Sequence, residues 1–181
     1  MGRGRKWPLA TWLVKMTTEA ERADHRISDL KSAAIESILE VTSDILYVTD
    51  VDALLGKITK AVSETFGLRN VSIGIADRET GSFAVRASHG YSPEVDAMIR
   101  KVRYSEERML KDLRPEFKVG RSVYYVPGEF SQITDDDDML FVVHPERIDN
   151  PRRFPDEWHE LDYIDFLMYR KDGRLLGYLE I

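Results

Sequence analysis

The sequence predicts an α+β domain: a mostly antiparallel sheet with helices on both faces, preceded by a long N-terminal helix. Three observations carry this prediction. Apolar residues recur at three- and four-residue steps over 18–48, and again over the segment that ends at Phe66. From Val71 the period drops to two, in two consecutive runs. The chain then ends on two further apolar runs, DFLMYRK and RLLGYLEI, joined through Asp172–Gly173. The expected divisions are an arm over 1–17, a long helix over 18–48 and a single domain over 49–181.

The bulk composition bounds the class. The chain has 181 residues, 43% hydrophobic and 32% charged, with a formal net charge of −6. This is a globular composition, and no large basic face of the kind nucleic acid demands is visible. The chain has no cysteine, which excludes disulfides, thiol nucleophiles, thiolate metal sites and thioether-linked chromophores. A reducing, cytoplasmic setting is expected on the same ground.

Each element has its own signal. The arm holds WPLATWLVKM after a basic start, an apolar run broken by Pro8 and Lys15 and too short to span a bilayer. A packed or partly disordered arm is expected, the alternative being an interfacial contact through Trp7 and Trp12. Between Thr17 and Val48 there is no Gly or Pro, and Ile27, Leu30, Ala34, Ile38, Val41, Ile45 and Val48 form a near-heptad stripe. A small domain cannot cover a stripe this long, so a homodimer through this helix is expected over an amphipathic helix packed on its own domain. A second helix starts at Thr49 or Asp50, presents Val51, Leu54, Leu55, Ile58, Val62 and Phe66 as its buried face, and stops at Gly67. VSIGIAD and SFAVRAS form a hairpin around RETG. Ser92 and Pro93 open one helix over 92–113. RSVYYVP (121–127) is a strand. Residues 128–162 form a long loop in which MLFVVH is a short strand and PDEWHELD a turn or two of helix; such a length suits a lid more than filler. A type I′ turn at Asp172–Gly173 closes the final hairpin.

This order and these segments resemble a GAF domain, the small-molecule sensing module of signalling proteins. The resemblance covers about 38–181. It is carried by ILEVTSDILYVTDVDALLGKITKAVSETFGLRNVSIGIAD, then ASHGYSPEV, GRSVYYVP and WHELDYIDFLMYRKDGRLLGYLEI. It implies a profilin-like sheet with helices on one face and a ligand pocket on the other, roofed by the third helix and the variable loop. The long helix is similar to the signalling helices that link sensory modules to output modules such as histidine kinases. A closing helix usual in the family does not follow Ile181, so residue 181 is expected to be a boundary within a longer chain.

Site residues follow from that layout. If Phe83, Val85 and Ala87 face the helices, Arg86 and Ser88 face the pocket, where a ligand carboxylate or phosphate would answer the arginine. The rival reading pairs Arg86 with one of the loop aspartates or leaves it in solvent. Tyr125, Trp158 and Tyr169 are candidate pocket walls, with plain core packing as the rival. The run Asp135–Asp138 has oxygen donors for Ca²⁺ or Mg²⁺ but lacks the glycine and distal glutamate of an EF-hand, so a solvated loop is expected. His25, His89, His144 and His159 show no spaced metal-binding pair. The family's methionine-sulfoxide-reducing and bilin-attaching branches depend on cysteine, and its cyclic-nucleotide branch on an N-K-F-D/E type motif absent here. No nucleophile elbow or phosphate-binding glycine motif occurs. The expected function is a non-catalytic sensor that binds a small ligand and signals through its helices. The alternatives are a ligand-free dimerisation module and, behind it, an enzyme using Asp162 and Asp165. No cofactor and no metal ligand is assigned.

Overall fold

The computed structural model describes residues 22, 26–36, 39, 50–131, 133, 138–142, 144–154 and 157–181. The arm over 1–17 lies outside the described residues, as does most of the segment leading into residue 50. Residues 26–36 are helical (α1), with Ile27 and Leu30 about half exposed. Of the span 18–48, where a long helix is expected, only residues 22, 26–36 and 39 are described.

Helix α2 (Val51–Phe66) opens on Asp50, whose carboxylate accepts the backbone N–H groups of Asp52 at 2.9 Å and Ala53 at 3.4 Å. It stops at Gly67 in the left-handed region. Its most buried positions are Thr59 and Ser63, while Val51 and Phe66 are exposed, contrary to the apolar face expected. Small polar residues let the helix lie close on the sheet. Their hydroxyls are satisfied by Gly56 O at 2.9 Å and Leu68 O at 2.7 Å.

The sheet has six strands in the order β2-β1-β6-β5-β4-β3, every neighbour antiparallel: β1 Val71–Ala76, β2 Phe83–His89, β3 Lys118–Gly120, β4 Val123–Val126, β5 Tyr163–Tyr169 and β6 Leu175–Glu180. The last strand is therefore interior, paired with β1 on one side and β5 on the other. The β5–β6 turn is not type I′, because among the described residues only glycines have positive φ. Gly173 N donates to Arg170 O at 3.0 Å, and Gly173 itself takes φ 85, giving a three-residue loop of the bulged kind. The register of β1 on β2 shifts between Ile73 and Gly74. A side chain at Gly74 would run into the ring of Tyr178 on β6, so the strand is glycine where that ring crosses it.

The helix expected over 92–113 is two short helices, α3 (Pro93–Ile99) and α4 (Glu106–Leu110), capped by Ser92 and Ser105. Between them the chain pairs with the sheet: Phe83 N donates to Tyr104 O at 2.8 Å and Tyr104 N to Phe83 O at 3.2 Å. Helical spacing on both sides of this bridge hides it. MLFVVH is not a strand: Asp138–Phe141 forms a 3-10 turn. The described part of PDEWHELD is turn rather than helix.

Helices occupy both faces. α2 lies over β1 and β2 on one. On the other, Phe83, Leu167, Leu175 and Tyr178 form the core with Tyr104, Met109, Leu110 and Leu113. The sense of β2 is reversed from expectation up to Val85, and a bulge at Arg86 then breaks the period, since Ile73 and Gly74 of β1 pair with Ala87 and Val85. The small Ala84 serves the α2 face, and the bulky Phe83 goes to the α4 face, stacked on Tyr104 at 6.2 Å.

Candidate functional site: an acid-floored cavity

Over the face opposite α2 lies a cavity of about 560 Å³. Strand periodicity builds its floor. On β5, Tyr163 and Asp165 are two positions apart and share one face; on β6, Tyr178 and Glu180 do the same. The β5–β6 register sets Asp165 directly opposite Glu180 and Leu167 opposite Tyr178. Two carboxylates thus adjoin across one rung of an otherwise apolar sheet centre.

Asp165 is only 3% exposed, and its Oδ1 has no hydrogen-bond partner among the described residues. Burial, and then the charge of Glu180, raise its pKa well above the ordinary aspartate range. Burial, then the charge of Asp138, pushes Glu180 up to about 7. Tyr104 and Tyr163 are pushed up mainly by burial, with the neighbouring carboxylates adding to the effect. The hydroxyls of Tyr104 and Tyr178 hydrogen-bond to each other over the floor.

Helix α4 and the variable loop make the wall. Arg108 Nη2 donates to Asp138 Oδ1 at 2.8 Å, and Lys111 Nζ to Asp138 Oδ2 at 3.0 Å, which fixes the 3-10 turn against the helix. The other end of the loop is held by Asp162, whose side chain is fully buried. It accepts from Gly128 N at 2.7 Å, His159 N at 2.8 Å, Tyr125 Oη at 3.1 Å, and Arg152 Nη1 and Nη2 at 2.7 and 2.5 Å. Burial alone would raise this carboxyl; the Arg152 guanidinium and the backbone donors override it and hold it low. Arg152 also grips Glu129 at 2.6 and 2.9 Å, drawing that carboxyl down to about 2.

The expected site residues scatter. Trp158 is on the cavity wall, and Tyr125 stands behind it, ring centroids 6.1 Å apart, tied to Asp162. Arg86 is not on the wall. It lies on the α2 face and pairs with Asp52 at 2.7 Å, an internal partner supplied by a helix rather than a loop. Ser88 donates to Asp96 of α3. Tyr169 sits, half exposed, in a shallow basic cleft with Lys118, Arg121 and Arg170 at the far end of β5. Glu180, Tyr104 and Tyr178 were not foreseen, and Asp165 was foreseen only as a candidate acid–base beside Asp162. Their signal was present: carboxylates at inward positions of the apolar strands YIDFL and GYLEI.

No family model and no curated protein matches the chain. Among solved structures it is similar to the A. aeolicus nlh2 GAF domain in an inactive state, at 16% identity and TM-score 0.53, covering 84% of this chain and 80% of that one. It is similar also to the GAF domain of a phosphoenolpyruvate-protein phosphotransferase from Coxiella burnetii, at 14% identity and TM-score 0.51, covering 85% and 77%. At such identities the likeness speaks for the fold. Together with the strand order and the two-faced helix arrangement, it gives the conclusion: the chain has the GAF fold.

Proposed function

We propose that this chain is a regulatory sensor domain, not itself catalytic, that binds a small molecule in the cavity over β5 and β6. The observation that carries the reading is Asp165. A buried carboxylate oxygen with no partner, opening on a cavity of ligand size, is a recognition group awaiting its ligand. The wall supports the role, since α4 and the loop reach the cavity through ion pairs that a ligand would reinforce or disturb. Differential binding to two arrangements of wall and helices is what a sensor requires. The signal would leave through α2 and the long helix of a cytoplasmic homodimer to an output module of the histidine-kinase type.

A second reading is a dimerisation module without a ligand. The exposure of Ile27, Leu30, Val51 and Phe66 favours it, because it leaves apolar helix surface to be covered. Native mass spectrometry separates the two. The sensor reading predicts a small organic molecule retained by the purified chain and lost in Met109→Trp, which fills the cavity from α4. Bare chain mass in both proteins, with no thermal stabilisation by any member of a metabolite panel, would leave only the dimerisation module.

A further inference from the structure

The charge balance of the cavity names a ligand class, a step that rests on the sensor reading above. Among the described residues, six carboxylate and four cationic side chains line it. The cations are engaged at the wall: Arg108 and Lys111 on Asp138, Arg147 on Glu160 at 3.6 Å, and Arg69 on His144 at 2.6 Å. None of these contacts reaches the floor. There the Oδ1 of Asp165 is unpartnered beside Glu180, within a ring of tyrosines from three directions: Tyr163 and Tyr178 on the strands, Tyr104 before α4 and Tyr91 before α3. An anion placed there would meet two carboxylates in a water-poor site. A neutral acceptor would meet carboxylates that have nothing to donate once ionised.

We propose that the Asp165–Glu180 floor recognises an organic cation: an ammonium, amidinium or guanidinium head on a small apolar or aromatic body. Two adjoining carboxylates accept several N–H donors at once, and charge-assisted hydrogen bonds of this kind are the strong ones. Tyrosine faces add cation–π attraction and apolar contact for the body. Divalent metal is the poorer occupant, because no group of three His, Cys, Asp or Glu side chains among the described residues is disposed to hold one.

Binding then carries a proton signature. The floor is faced by Asp138 from the 3-10 turn, by Arg108, Lys111 and Asp112 from α4 and its end, and by the Tyr104 and Tyr163 hydroxyls. With Glu180 near 7, the empty pair holds a proton around neutrality. A cation expels it, so affinity rises with pH and falls by up to about tenfold per unit on the acid side.

Three size-matched probes test this by isothermal titration of the full chain at pH 8: benzamidine, benzamide and benzoate. The expected result is benzamidine bound at least about tenfold tighter than benzamide, with no benzoate binding. It includes at least a tenfold loss for benzamidine in Asp165→Asn and in Glu180→Gln, and weaker binding at pH 6. Benzamide or benzoate binding as well as benzamidine, Ca²⁺ displacing benzamidine at equimolar concentration, or indifference to both substitutions would overturn the cation inference and leave a cavity with another ligand. Failure of all three probes at millimolar concentration would overturn the cation inference, while the sensor reading stands or falls on the retained mass and the metabolite panel. The wild-type probe comparison does not depend on either variant folding.

Discussion

Asp162 and Asp165 stand three positions apart and have opposite environments. Asp162 is answered on every side, by Arg152, two backbone N–H groups and the Tyr125 hydroxyl. Asp165 is buried with one oxygen unanswered. Their substitution effects should therefore differ in sign. Asp162→Ala strands the Arg152 guanidinium and frees the start of the loop at Gly128; it should destabilise the domain by about 3–5 kcal/mol in urea denaturation. Asp165→Asn removes a charge that folding must desolvate, and should stabilise at pH 8. The pH dependence follows the same logic. Glu180 has a folded-state pKa of about 7, above its unfolded value, so between the two the folded state holds the extra proton. Stability is then present in full at low pH and is lost as pH rises through 7. The melting temperature at pH 8 should lie several degrees below that at pH 5.5, and Glu180→Gln should flatten the difference. The opposite slope between these pH values would contradict the buried acid pair. Below that window the depressed groups Asp162 and Glu129 act in the other direction, and stability falls as they protonate.

At the scale of elements, legibility tracked periodicity. Helix α2, the β1–β2 hairpin and the β5–β6 hairpin were readable because one period runs through most of each, broken by one bulge in either hairpin, with a cap or turn residue at its end. What was lost were features that one residue decides. The sense of β2 up to Val85 turned on which side takes the Phe83 ring: it stacks on Tyr104, while the α2 side carries the buried Thr59 and Ser63, which read as ordinary helix-surface residues. The bridge at Tyr104 divides α3 from α4 through two backbone hydrogen bonds that leave no trace in side-chain pattern. The cavity floor was the hardest to see, since Asp165 and Glu180 are fifteen residues apart and meet only through strand register. The close fit of α2 makes a prediction: Thr59→Leu, although apolar, should overpack the helix–sheet interface. A loss of about 1–3 kcal/mol is expected in chemical denaturation, whereas a gain would mean α2 has room to spare.

Over the whole molecule, the central position of β6 gives the fold its logic. The final strand bridges the β1–β2 half to the β3–β4–β5 half, so the cavity floor forms only when the last residues are in place. Within the helical residues 26–36, Ile27 and Leu30 are exposed. If a second copy covers them, Ile27→Asp with Leu30→Asp should shift sedimentation from dimer to monomer without altering probe binding. The central claim is that the sheet face opposite α2 is a ligand floor centred on the β5–β6 rung. It is tested most directly by amide chemical-shift mapping of the wild-type chain titrated with benzamidine at pH 8. The account predicts saturable shifts centred on Tyr163, Asp165, Tyr178 and Glu180, with Tyr169 and α2 unmoved. Shifts centred instead on the basic cleft around Tyr169 and Arg170, or no saturable shift anywhere, would contradict it.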